Sequence, residues 1–378
     1  MLETALRSLN SPCMMNKIFF MAIFLCHPLL AQETKYYFYN PKIDYGSDGF
    51  YSPLSMMING SYDIFRNGAH SKDVFNQPYM IGMKNVWRNI SSPLYNINRY
   101  GWDRFTREEI FNFNLNAKEA QFLPNFSDHT LGEGMLYAKT AEWYDYHGYR
   151  YPYVWSFVTT SAYQFINETV ENGSYEDTSV DLIADMLVFN TAGFILFSTE
   201  WARDFFSRTV PMYDWSLQPV IDPTTGFLFN AGEQFVIRHG LPFAPRYSAF
   251  VYWGIHGIAG VSYACDDENN LSIGVGQVVN RVNENRYKGL RFLTPSLDGV
   301  IGIFYDKNNS LMTSILLSGP RLYNAQINIY PGVVKIGGFE PGVYLAFGEW
   351  DKFVFGVTLA RVPLGIGLGN KYDETRSN

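Results

Sequence analysis

From about Phe227 onward, apolar residues recur at every second position. Leu271, Ile273 and Val275 alternate with Ser272, Gly274 and Gly276, and Tyr323, Ala325, Ile327 and Ile329 with Asn324, Gln326 and Asn328. Phe353, Phe355, Val357 and Leu359 alternate with Lys352, Val354, Gly356 and Thr358, and Val362, Leu364, Ile366 and Leu368 with Pro363, Gly365, Gly367 and Gly369. A period of two puts every apolar side chain of a strand on one face, so this part folds as strands. Asp306-Lys307-Asn308-Asn309 and Glu349-Trp350-Asp351 supply hairpin turns between them. The spacing predicts an antiparallel β-barrel of about 8–12 strands over residues 211–370.

The second face of these strands is Gly, Ser, Thr and Asn. That is the transmembrane-barrel pattern, apolar outward and polar or small inward. A soluble barrel or sandwich with its apolar face inward alternates identically. Glycines on the inner face suggest that something packs closely there, such as a helical plug.

Other features favour the membrane. The chain carries 30 Phe, 27 Tyr and 8 Trp, which suits interfacial aromatic belts. Lys17 precedes an apolar run from Ile18 to Leu30, and Leu29-Leu30-Ala31 resembles a cleavage junction, so residues 1–31 read as an export signal, with Met15 a possible true start. Of three cysteines, only Cys265 lies beyond this leader, too few for a disulfide or a cysteine zinc site. A net charge of -7 without long basic runs argues against nucleic acid as partner. The expected address is the cell outer membrane, with the periplasm as runner-up. The polar tail 371–378 departs from the terminal aromatic strand usual in such barrels.

Residues 32–127 read as irregular, with short strands near Tyr36–Tyr39 and Ile110–Leu115. A helical domain follows over 128–210. Its first helix runs from about His129 to His147 and stops at Gly148; Pro152 opens a second, which ends at Asn172-Gly173. Thr178-Ser179-Val180-Asp181 resembles a capping box opening a third. This last helix is too briefly apolar to span a bilayer and reads as a core or interfacial helix.

This island also concentrates ionisable residues. His129 and Glu133 share a helical face, as do Asp181 and Asp185, and Glu168 lies on a partly apolar stripe. A buried carboxylate needs a partner, so Glu168 implies His129 as imidazolium or a metal ion. His129, Glu168 and Asp185 are the candidate catalytic set. Glu133, Tyr137 and Glu171 are further candidates, while Thr178, Asp181, Asn190 and Gly193 read as structural or capping. The competing view makes the whole set a polar network that fixes helix packing.

Asn125, His129, Tyr137, Ser156-Phe157, Glu168, Glu171 and Asp181-Leu182, with Gly193, resemble the pattern of the bacterial family called "domain of unknown function 3943". Thr130 stands where that family has Pro and Asn167 where it has Trp, and either Asp181 or Asp185 fits its aspartate. His129, Glu168 and Asn190-Thr191-Ala192-Gly193 resemble the VanZ-like membrane families more weakly. Neither resemblance implies a reaction.

Together these features predict an exported outer-membrane β-barrel with a packed helical insert, acting in envelope lipid organisation or transport, with membrane lipid as partner. Two alternatives stand beside it. One is a membrane-embedded hydrolase of a lipid ester or phosphodiester, with His129 as base. The other is a soluble periplasmic barrel for an apolar ligand. No cofactor is predicted, although a divalent metal is compatible with the carboxylates.

Overall fold

The computed structural model describes residues 36–66, 71–111, 124–173, 179–254, 256–287, 290–319, 323–348 and 352–370. The leader, Thr178, the turn at Glu349-Trp350-Asp351 and the polar tail lie outside the described residues.

The segment expected to be irregular is helical. Ser52 and Ser55 cap each other reciprocally ahead of Pro53, which starts α2 (Pro53–Ser61) behind the short α1 (Gly46–Phe50). A 3₁₀ turn at Asp63–Arg66 follows, then α3 (Tyr79–Ser91), α4 (Pro93–Tyr100) and α5 (Trp102–Phe105). No strand forms over 36–39. The backbone N–H groups of Tyr37, Phe38 and Tyr39 instead donate to the Glu142 carboxylate at 2.8–2.9 Å. Ile110 ends a wide helical turn (Thr106–Ile110) and is not in a strand, while residues 112–115 of that expected strand lie outside the described residues. Helix α3 escapes pattern reading because both its faces are mixed: it buries Gly82, Asn85 and Asn89 beside Val86 and exposes Met80, Met83 and Trp87 among Lys84 and Arg88.

The helical island follows the sequence reading more closely. A wide turn (Pro124–Gly132) leads into α6 (Glu133–Tyr146), and Gly148 takes the left-handed φ of +78° that ends it. Pro152 opens α7 (Pro152–Glu171), then come α8 (Asp181–Ser198) and α9 (Glu200–Asp204). Helix α8 has the length and composition to cross a membrane, but half of it is buried. It crosses α6 at Gly134 and Gly193, where a Cβ on Gly193 would stand 2.7 Å from the Thr130 carbonyl oxygen.

Thirteen strands form one large sheet. They are β1 (Met212–Asp214), β2 (Val220–Asp222), β3 (Phe227–Phe229), β4 (Gln234–Leu241), β5 (Ala244–Gly254), β6 (His256–Ala264), β7 (Asn269–Tyr287), β8 (Leu290–Lys307), β9 (Ser310–Ser318), β10 (Ala325–Ile329), β11 (Pro341–Phe347), β12 (Phe353–Leu359) and β13 (Gly365–Gly369). Their order is β1-β4-β5-β6-β7-β8-β9-β10-β11-β12-β13-β2-β3. The sheet is mixed, because β13 and β2 pair in parallel whereas the other named pairs are antiparallel. The turn expected at Asp306–Asn309 joins β8 to β9, with Asn308 and Asn309 at positive φ.

The two ends of this order belong to one interrupted hairpin. Met212 pairs with Ile237 and Val220 with Phe229, and between them Trp215 and Leu217 donate to the carbonyls of Gln234 and Gly232. At the interruption the Asn59 side chain of α2 stands in for backbone. It donates to the Leu217 carbonyl at 3.0 Å and accepts from the Gly232 N–H at 2.9 Å.

Strands β1, β4 and β5 feed two cores with alternate residues. Tyr213, Val236 and Tyr252 join Trp215, Phe304 and Tyr330 in a core made by the sheet alone. Met212, Phe235, Ile237 and Trp253 face the other way and pack on Met56, Leu136, Tyr163 and Phe197 of the helices. The helices therefore lie against the sheet face opposite its own core. The glycine expectation changes accordingly, because Gly302 and Gly274 make room for Phe304 and Phe250 of the sheet and not for a helical plug.

Candidate functional site

The wide turn carrying Asp128 and His129 meets one stripe of α7 (Tyr163, Gln164, Asn167, Glu168 and Glu171), the start of α6 and the β3–β4 connection. Together they enclose a cavity of about 180 Å³. His129, Glu133, Glu168, Glu171 and Asn190, all singled out from sequence, line it. Asp185 joins through His129: Nδ1 of the imidazole lies 2.7 Å from Glu133 Oε1 and Nε2 lies 3.8 Å from Asp185 Oδ1. The other Glu133 oxygen accepts from Gln164 Nε2. Glu168 accepts from Asn172 Nδ2 at 3.0 Å.

Sequence reasoning missed Asp63, Asp128 and Glu233 on the same cavity wall. Asp128 was adjacent to a named residue. Asp63 and Glu233 come from segments about 70 and 100 residues away, with no local signal. Asp63 accepts from Asn167 Nδ2 at 2.7 Å and Glu233 from the Tyr163 hydroxyl at 3.4 Å.

Other candidates serve elsewhere. Tyr137 stacks among Tyr153 and Phe194, and its carbonyl accepts from the Ser156 hydroxyl at 2.6 Å, so it is a packing residue. Asp181 is the first residue of α8, whose N-cap is Val180 with no capping side chain, while Thr178 of the expected capping box lies outside the described residues. The Asp181 carboxyl bonds that of Glu109, whose proton affinity rises through burial and the charges of Asp181 and Asp185. Gly193 is required by the close crossing of α6 and α8.

The electrostatics follow from this crowding. Burial alone would lower the His129 pKa, but Asp185 and Glu133 together hold it well above the ordinary imidazole value. A raised proton affinity makes His129 a poor proton acceptor, which sits badly with the base role expected of it. Burial raises Asp63 to about 6 and Asp128 to about 7. Glu168 is also raised well above the usual range, by burial and then by the charge of Glu171. Carboxyls poised near neutrality can take up or release a proton. Among the described residues, no group of three or more His, Cys, Asp or Glu is arranged to hold a metal ion.

A second buried charge is structural. Lys139 of α6, 2% exposed, lies 2.8 Å from Asp48 and 3.0 Å from Asp214, and so ties α6 to α1 and β1. Comparison with protein-family models, with curated proteins and with solved structures finds no match for this chain.

Proposed function

We propose that this is an envelope protein of the outer-membrane type, seated in lipid by a closed β-barrel. Its helical part packs on one side of the barrel, and its role lies in lipid organisation or transport. One observation carries the reading. Across β6–β13 the face opposite the sheet core is apolar and exposed: Val261, Ile273, Val275, Ile301, Leu317, Phe355, Val357 and Ile366 retain 36–66% of their surface. These residues are cross-strand neighbours, as in Val261↔Ile273 and Val275↔Ile301↔Leu317 on β6–β9 and Val357↔Ile366 on β12–β13, so they form apolar patches over both runs of strands. Meanwhile Ser262, Ser272, Ser314, Asn328 and Thr358 are buried. Patches of this kind in water are an association hazard, whereas in lipid they are the ordinary barrel surface.

Barrel closure is supported by the strand pairing. β1 with β2, and β3 with β4, are the halves of two strands, so the thirteen segments reduce to eleven strands whose terminal pair is one hairpin. A closed ring with an odd number of strands would need one parallel pair, and β13–β2 is such a pair among the described strands. The exposed Met80, Met83 and Trp87 of helix α3 and the exposed aromatics Tyr146, Tyr149, Tyr151 and Trp155 at the α6–α7 turn suit a lipid interface. The resemblance over residues 125–193 adds a family for this protein as a proposal only.

The test is fractionation with gel migration. Recovery in outer-membrane fractions as a heat-modifiable band is the expected result, and full recovery in the soluble periplasm overturns the reading. The second reading, a lipid hydrolase, draws on the cavity carboxyls, with Asp128 better suited than His129 as base. Loss of ester hydrolysis on Glu168→Gln at unchanged stability would select it. The soluble carrier has less support, since Trp215, Tyr252, Phe304 and Tyr330 fill the sheet interior.

A further inference from the structure

We propose that the cavity between the His129 turn, α7 and the β3–β4 connection binds a small organic cation that carries N–H donors, a primary ammonium group. The inference goes beyond the membrane reading and does not rest on it.

The first observation concerns unpaired atoms. Asn190, 1% exposed, lines the cavity, and its side-chain oxygen has no hydrogen-bond partner. Glu233 lines it too, and its Oε1 is buried without one. A buried polar atom left unpaired is destabilising, so each such atom in a native structure asks for a partner. Both are acceptors, and what they lack is a donor. The amides that could have served are engaged: Gln164 donates to Glu133 and Asn167 to Asp63.

Charge gives the second argument. Asp63, Asp128, Glu133, Glu168 and Glu233 line the cavity, and His129, the one cationic side chain among its described lining residues, is held by Glu133 and Asp185. Crowding and burial raise the proton affinity of Asp63, Asp128, Glu168 and Glu233, and a cation bound among them would favour their ionised forms. Shape then selects among cations. The aromatic side chains of Tyr163 and Phe235 complete the wall. About 180 Å³ admits an ammonium on a short stem and excludes a long one. Asp128, His129, Glu171 and Glu233 keep partial exposure, which leaves a route in.

The test is calorimetric titration of the detergent-purified full chain. Ethanolamine is the probe, with tetramethylammonium (equal charge, no N–H) and Ca²⁺ as comparators. Saturable ethanolamine binding at least tenfold tighter than tetramethylammonium is expected. Asn190→Leu and Glu233→Gln should each weaken it about tenfold while melting temperature and gel migration stay unchanged. No saturation, equal affinity for tetramethylammonium, or Ca²⁺ binding that ethanolamine does not displace overturns the proposal. Should either variant unfold, the comparison of the three probes on the unaltered chain decides alone. Micelles of short-chain phosphatidylethanolamine against phosphatidylcholine distinguish a lipid headgroup from a free amine as source of the ammonium. Preference for the former supports a headgroup, and binding of ethanolamine alone supports a free amine. A soluble chain that still binds ethanolamine would sink the membrane reading and leave this one standing.

Discussion

Nδ1 of His129 lies 2.7 Å from Oε1 of Glu133, one helical turn further along the chain. The pair joins the wide turn to the first turn of α6, and Asp185 at 3.8 Å adds α8 to the same charge cluster. Two backbone segments, residues 124–146 and α8, are thus held at one imidazole.

Removing that side chain leaves two buried carboxylates without a counterion. His129→Gln is expected to destabilise the protein by about 3–5 kcal/mol, as for other broken buried pairs. The double variant His129→Gln/Glu133→Gln should recover part of the loss. Denaturant midpoints measure both, and a single variant as stable as the parent would show that the pair does not hold the segments.

Acidity adds a second prediction. Burial lifts Asp128 from the ordinary carboxylate range to about 7. Between about pH 4 and 7 the unfolded chain has released this proton while the folded one keeps it, so stability falls as pH rises through that window. Asp128→Asn should flatten that slope by on the order of 1–2 kcal/mol, after discounting for partial exposure. Melting temperature against pH reads it, and an unchanged slope counts against the assignment.

Lys139 is expected to be less replaceable than any surface lysine. Lys139→Met strands Asp48 and Asp214, and a loss of about 3–5 kcal/mol is expected. Adding Asp48→Asn and Asp214→Asn should restore most of it, which a melt of the triple variant checks.

At the crossing of α6 and α8, Gly193→Ala places a Cβ 2.7 Å from the Thr130 carbonyl oxygen and 3.3 Å from the Gly134 Cα. Alanine ordinarily favours a helix over glycine by about 1 kcal/mol. Here the clash should outweigh that gain and leave a net loss of about 1–3 kcal/mol. A rise in melting temperature would show that the helices can separate without penalty.

On the apolar patch of β6–β9, Val275→Arg should impair membrane assembly, by about 2–4 kcal/mol if the position lies at the bilayer midplane. In aqueous surroundings an exposed arginine at this 65% exposed site would be harmless or would improve solubility. Yield of the heat-modified form separates the two environments.

The strands were legible in the sequence because a period of two is a local property: Ile273 and Val275, or Phe355 and Val357, declare a shared face without reference to the rest of the chain. Pro152 and Gly148 likewise announced where α7 begins and α6 ends. Helix α3 was illegible for the converse reason. Its buried face sets Gly and Asn beside Val86, and Met and Trp stand exposed among Lys84 and Arg88, so the usual polarity rule misleads.

By itself, then, the sequence determined which residues share a face, where several helices start and stop, and that His129, Glu133, Glu168 and Glu171 could belong together, since each follows from spacing along one chain segment. Tertiary structure alone decided that the apolar faces of β6–β13 point away from the sheet core, that Asp63 and Glu233 reach the cavity, and that His129 is an ion-pair partner. Alternation is symmetric between inside and outside. Only the packing of Trp215, Tyr252 and Phe304 on one side breaks that symmetry, and only long-range contact brings remote carboxylates close enough to set each other's charge.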